Sequence, residues 1–324
     1  MPDLIRHPDV VPTKALHHMV FRAKVGNHLE YWIPVFTGNP GFLLEFIPMK
    51  IGAGMTTFWE TIGLWADTNY CHMKLKEIFA KTVLTKTAIS SFDYCINPYV
   101  GGCGHGCRYC YASFMKRFTG HLEPWGEFID VKVNAPYLLR KQLKRAKQGI
   151  VALSTVTDPY QPVEGKYQLT RKCLEALLDV QFSVNLLTRS PLCLRDVDLF
   201  KQFKKIEMGF SITTHDEETR KIFEPHSPAI DSRVKALRTL RREKIPTYAF
   251  IGPMLPLDPK KLVGMLDGLI DEVLIDRMNY SNKVKAIYRK NKLGQYLEEN
   301  YFRLVGMELK ERFEEKGIAV TMCF

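Results

Sequence analysis

The chain reads as an α/β protein, a partial (β/α)6 barrel followed by a C-terminal helical stretch and a short last strand. Three observations predict this. From about residue 91, short β-branched or apolar runs alternate with longer helical stretches. One of those stretches carries a clear apolar stripe, and two others open on recognisable start signals. Strand–helix alternation repeated about six times implies a parallel sheet with right-handed crossovers. The active site of such a sheet lies at the carboxyl ends of its strands.

The strand-like runs are Phe92–Asn97, Ile150–Thr155, Phe182–Thr188, Ile206–Thr213, Thr247–Ile251 and Glu272–Asp276, with Ile318–Cys323 as the last strand. Between the second and third, Leu169, Cys173, Leu174, Leu177 and Leu178 follow the spacing of a buried helical face. Thr214 with Glu217 forms a capping-box signature, and Asp258 followed by Pro259 reads as N-cap then first helical residue.

The 324 residues allow one large α/β domain or two modest ones. The 46% hydrophobic content suffices for a sizeable core, and the 25% charged content is ordinary for a soluble protein. The apolar stretch around Gly41 to Trp59 is interrupted by Glu45 and Lys50, so no membrane span is expected. The opening residues lack the apolar segment of a secretory signal, which makes the cytoplasm the expected location.

Charge and composition both step at residue 73. Residues 1–72 hold five Lys/Arg against six Asp/Glu, whereas 73–324 hold 41 against 29. The first segment also contains Trp32, Trp59 and Trp65, yet no sustained helical or strand period. Two readings of 1–72 stand side by side: an extension that packs on the main domain, or a gene-model artefact with synthesis beginning at Met73. The domain expected to carry the chemistry is 73–324. Cys71–His72 is a metal-capable pair to which no role is assigned.

Of the eight cysteines, Cys103, Cys107 and Cys110 fall within one glycine-rich loop, NPYVGGCGHGCRYCYA, and the others are scattered. Clustering of this kind points to a metal and away from a disulfide framework. The loop follows the first strand-like run and precedes a helical stretch, which puts it on the catalytic rim. Three thiolates hold three irons of a cubane and leave the fourth open, whereas four would close it for electron transfer. The competing readings are a structural zinc site completed by His105 or His121, and an electron carrier completed by Cys95.

The C-x3-C-x2-C loop, with Tyr109 just before its last cysteine, resembles the signature of the radical S-adenosylmethionine (SAM) superfamily. The stretches CINPYVGGCGHGCRYCYA, ALSTVTDPYQPVE, LLTRSPLCLRD and FSITTHDEETRKIFEPHSP are similar to its spore photoproduct lyase-like, or DNA repair photolyase-like, branch. The resemblance spans about residues 85–324. Gly101–Gly102 departs from the branch by one added residue and leaves the ligand spacing intact.

The resemblance implies a TIM-like radical SAM barrel, a [4Fe–4S] cluster on Cys103, Cys107 and Cys110, and SAM as second cofactor. It implies reductive cleavage of SAM to a 5′-deoxyadenosyl radical that takes hydrogen from substrate, with electrons from a donor of ferredoxin or flavodoxin type. Tyr109 resembles the aromatic that packs near adenine. Arg189 suits the methionyl carboxylate, Ser211 and Thr213 suit ribose hydroxyls, and Thr157 joins them at a strand end. Ser and Thr also cap helices, so each keeps a purely structural alternative.

The strict spore photoproduct lyase returns hydrogen through a cysteine on its second strand, and Val151–Thr157 has none. Cys323 and Tyr160 are the candidate substitutes. Nucleic acid leads as substrate class, for DNA repair or modification by a lyase or modifying enzyme. A small molecule or peptide is the alternative within catalysis, and an iron–sulfur electron-transfer module the alternative outside it. Basic clusters at 140–147, 238–244 and 283–292 bear on this only if one of them adjoins the catalytic rim.

Overall fold

The structure is a computed structural model in which the described residues are Phe21–Val25, His28–Phe36, Leu44–Met49 and 73–324. The chain divides into two compact units, Met1–Leu64 and Trp65–Phe324. In the first, β1 (Phe21–Val25), β2 (His28–Phe36) and β3 (Leu44–Met49) form an antiparallel meander, with Phe21 opposite Trp32 and Tyr31 opposite Met49. This corrects the expectation that residues 1–72 show no strand period. β2, HLEYWIPVF, loses its alternation from Tyr31 onward, so its strand character is hidden from a period-two reading. The Cys71–His72 pair lies outside the described residues.

The second unit is built on an eight-stranded sheet. Its strands in chain order are β5 (Leu84–Lys86), β6 (Tyr94–Ile96), β9 (Ile150–Leu153), β10 (Ser183–Thr188), β11 (Ile206–Ser211), β12 (Thr247–Ile251), β13 (Glu272–Ile275) and β14 (Ala319–Met322). From β6 to β14 neighbouring strands pair in parallel, and β5 adds an antiparallel edge. The order runs from β14 to β5 without closing on itself, so the expected partial barrel is present. β10 shows how sequence orients it. Val184, Leu186 and Thr188 are buried on one face, while Asn185 and Leu187 face a cavity on the other.

Helices cover the outer face: α1 (Ala135–Leu143), α2 (Leu169–Leu178), α3 (Glu217–Phe223), α4 (Ile230–Arg242), α5 (Pro259–Leu266), α6 (Ser281–Lys290) and α7 (Glu299–Glu314). The expected stripe on α2 is buried at Leu169, Cys173, Leu174 and Leu177. Asp258 caps α5 as expected, accepting from the Lys261 amide at 3.1 Å. α3 corrects the capping box. Its N-cap is Asp216, which accepts from Thr219 N at 2.8 Å, whereas Thr214 donates to the Pro256 carbonyl.

A second sheet was not anticipated. β7 (Tyr99–Val100) and β4 (Lys74–Ile78) flank β8 (Phe128–Lys132). The cysteine loop therefore leaves β7, two residues beyond β6, and enters a 3-10 helix, Tyr111–Phe118, before β8. Among the described residues no helix is long and apolar enough to cross a membrane.

Candidate active site

The carboxyl ends of β9 to β13 and the cysteine loop enclose a cavity of about 390 Å³. The loop is fixed by close backbone approach. A Cβ on Gly102 would lie 1.9 Å from the Phe128 carbonyl oxygen, and Gly106 holds φ +59°, so both positions require glycine. Backbone bonds from Arg108 N to Phe223 O (2.9 Å) and from Gly104 N to Gln161 Oε1 (2.9 Å) tie the loop to α3 and to the segment after β9.

Cys103, Cys107 and Cys110 all line the cavity, and no other cysteine among the described residues does. Burial pushes their thiols up, Cys107 to about 11, with Arg189 beside it pulling the other way. Metal coordination reverses that balance, because thiolate is the ligating form. Cys95 faces away, within 3.1 Å of Thr85 Oγ1. His121 is held by Asp130 at 2.9 Å and Glu123 at 3.2 Å, and His105 Nε2 sits 3.1 Å from Asp158. Among the described residues no three His, Cys, Asp or Glu side chains converge to hold one metal ion. A cubane presents its irons at separate corners, so three thiols around one cavity fit it without such convergence.

Behind the cysteines lies a buried ionic network. Glu224 is fully buried and accepts from Thr213 Oγ1 at 2.9 Å, from Tyr109, from Arg233 and, at 3.4 Å, from Arg189 Nε. Burial alone would raise its pKa, but Arg233 and Arg189 hold it well below the carboxylate range. Arg189 Nη2 also donates to Tyr109 at 3.0 Å, and its backbone amide to Asp158 at 2.8 Å. Asp158 additionally takes Thr188 Oγ1 at 2.6 Å. Against burial, His105 and Thr188 keep this carboxyl low.

Of the residues singled out from sequence, Tyr109, Thr157, Arg189 and Ser211 line the cavity. Thr157 Oγ1 donates to the Tyr99 carbonyl at 3.1 Å. Among the described residues Ser211 Oγ is buried without a hydrogen-bond partner, as are Ser154 Oγ and Asp276 Oδ1 on the same lining. Thr213 is outside the lining, because its hydroxyl is committed to Glu224. Tyr160 is fully buried and donates to Asp196 at 3.1 Å, so it is no rim residue. Cys323 is exposed and also lies outside the lining.

Sequence reasoning missed Glu224 and Arg233, which look like ordinary surface charges, and the cavity wall formed by Asn185, Tyr248 and Asp276. Tyr248 donates to Asn185 Oδ1 at 2.8 Å across two strands, a pairing that only the sheet order reveals.

An α/β sheet with three cysteines and an arginine opening on one strand-end cavity defines a class. The family model of the radical SAM superfamily matches residues 97–267, more than half the chain. The chain belongs to that superfamily, whose cofactors are a [4Fe–4S] cluster and SAM. An uncharacterized protein of Methanocaldococcus jannaschii is 35% identical over 71% of this chain and 84% of its own length. A radical SAM Nalpha-GlyT isomerase of Pseudomonas phage M6 is 26% identical over 49% of this chain and 32% of its own. A structure of spore photoproduct lyase complexed with dinucleoside spore photoproduct shares the fold. Its TM-score is 0.59 at 13% identity, covering 81% of this chain and 84% of that one.

Proposed function

We propose that this chain binds its cluster through Cys103, Cys107 and Cys110, cleaves SAM reductively in the cavity, and directs the resulting radical at a nucleic acid. When bound, the two cofactors supply one-electron cleavage of SAM and with it the power to abstract hydrogen. The single observation carrying this reading is that, among the described residues, the three loop cysteines, Arg189 and the unpartnered Ser211 hydroxyl open on one cavity without a fourth cysteine.

With Cys103, Cys107 and Cys110 as its protein ligands, the cluster would keep a position open to SAM. Arg189 carries its charge despite burial because the Glu224 and Asp158 carboxylates lie beside it, and its guanidinium suits the SAM carboxylate. Ser211 is suited to a ribose hydroxyl. Tyr109 spends its own hydroxyl on Glu224, and its ring lies 6.0 Å from the Arg189 guanidinium, so it positions that arginine.

The nucleic-acid assignment rests on the +12 balance of residues 73–324 and on the shared fold with an enzyme crystallised with a dinucleoside. A low-potential donor of ferredoxin or flavodoxin type is the proposed electron source. With no cavity cysteine beyond the loop among the described residues, strict spore photoproduct repair is not the proposed activity. Anaerobic reconstitution tests the reading: about four irons per chain and 5′-deoxyadenosine upon reduction with SAM are expected. Iron incorporation without any 5′-deoxyadenosine would overturn it.

A further inference from the structure

Two acid-free stretches meet at the cavity mouth. Residues 94–122 contain no Asp or Glu but carry Arg108, Lys116 and Arg117. Residues 277–297 likewise contain none, and carry Arg277, Lys283, Lys285, Arg289, Lys290 and Lys292. Lys283 Nζ joins the stretches by donating to the Cys110 carbonyl at 2.9 Å and Ser113 Oγ at 2.7 Å. Tyr111 stacks on Tyr280 with ring centroids 6.4 Å apart and planes 20° apart, and both rings line the cavity. The third basic cluster of the sequence therefore reaches the catalytic rim at Lys283.

Aromatic side chains emerge from the same rim along the 3-10 helix. Phe114 is 40% exposed and Phe118 71% exposed, and the Arg117 guanidinium lies 5.4 Å from both ring centroids. Exposed phenylalanines are costly in water and mark an interaction surface when grouped. The charge selects the partner. Cations interleaved with aromatic rings, without a carboxylate in either stretch, match a strand that offers phosphates and base faces alternately. A duplex hides its base faces within its own stack, so the rings have nothing to stack on there.

We propose that this rim is a docking surface for single-stranded nucleic acid, with bases stacked on Phe114, Phe118 and Tyr280 and phosphates held by Arg117 and by Lys290, which shares the helix face of Lys283. The proposal rests on the nucleic-acid reading of the substrate and narrows it to unpaired strand delivered directly to the cavity mouth.

Fluorescence anisotropy on the reconstituted full chain tests it, using labelled 15-mers of deoxythymidine and of uridine and a DNA duplex of equal length. Single strands should bind at least about tenfold tighter than duplex, with the deoxy and ribo arms showing which strand is preferred. Phe118→Ala alone should weaken single-strand binding about tenfold, and adding Phe114→Ala should weaken it further by a similar factor. Arg117→Ala should reduce the slope of log affinity against log salt by about 0.7. Neither phenylalanine touches the proposed SAM site, so cleavage without nucleic acid should persist in those variants and report that they remain folded. Equal or tighter duplex binding, or unchanged affinity in the Phe118→Ala protein, would overturn the docking proposal. Absence of binding to all three probes would also overturn the nucleic-acid reading, while leaving SAM cleavage to stand on its own measurement.

Discussion

The two sides of the cavity are built in opposite ways. On the cysteine side, Glu224 receives four side-chain donors and Asp158 is held by Thr188, the Arg189 amide and His105, so the charged groups are fixed before any ligand arrives. On the side contributed by β13 and α6, Asp276 Oδ1 has no partner among the described residues, burial pushes its carboxyl up, and Tyr280 is half exposed. The difference separates two tasks. Cofactor chemistry needs donors that do not reorganise, whereas recognition of a large substrate leaves surface for the substrate to complete.

The largest effects should come from the rigid side. Cys103→Ala, Cys107→Ala or Cys110→Ala should each abolish the brown chromophore and all 5′-deoxyadenosine formation, read by absorbance and mass spectrometry. Cys95→Ala and Cys173→Ala should keep both, since neither lines the cavity. An equal loss in Cys95→Ala would mean that the cluster is closed by a fourth thiolate, and the contrast between the two walls would fail.

Glu224→Gln probes the same side through stability. Removing one partner of a fully buried ion pair leaves Arg233 uncompensated and costs roughly 3–5 kcal/mol. In a chain of this size that lowers Tm by roughly 6–20 °C. The pKa of Glu224 is depressed in the folded state, so its stabilisation is complete above the ordinary carboxylate value of about 4.3 and fades as pH falls below it. The Tm difference between wild type and Glu224→Gln should therefore shrink in acid. Glu218→Gln, on an exposed pair with Lys221, should change stability by less than about 1 kcal/mol.

How much of this was legible in the sequence follows from locality. The three cysteines lie within eight residues, so covalent spacing alone brings them to one loop, and the six strands announced themselves by β-branched runs. Glu224 and Arg233 were illegible because a buried carboxylate and a surface one look alike until α3 and α4 fold against β11. Thr213 misled for a related reason. It stands just past the end of β11, where a ribose contact is expected, yet the network behind the cavity claims its hydroxyl. The sheet β4–β8–β7 escaped notice because its strands are short, and β8 hides Asp130, which only the pairing with His121 explains.

A smaller effect is expected at Arg189. Arg189→Ala should raise the half-saturating SAM concentration by about 10- to 100-fold, the loss of a charge-assisted pair worth ~1.5–3 kcal/mol. Arg189→Lys should recover part of it, because the point charge survives without the fork. Isothermal titration of SAM into the reconstituted protein measures both. Unchanged affinity in the alanine variant would remove Arg189 from the site and leave it as a counter-ion of Glu224.

The smallest effect concerns residues 1–72, for which we propose a segment separate from the radical SAM domain of 73–324. The second unit carries its own sheet and core: Met73 and Leu75 pack against Tyr99, Ile129 and Val131, and β4 pairs in register with β8 from Lys74 onward. Among the described residues every one that lines the cavity lies at or beyond Ile89. A chain beginning at Met73 thus retains all that the proposed chemistry uses. It should express as folded protein, incorporate about four irons, and cleave SAM at a rate within about twofold of the full chain. Its Tm should stay within a few degrees, since ~1 kcal/mol corresponds to about 2–4 °C at this size. Calorimetry and product analysis on both chains read the two quantities. An insoluble 73–324 chain beside a stable full-length one would show that residues 1–72 complete the core, and the division at Met73 would have to be abandoned.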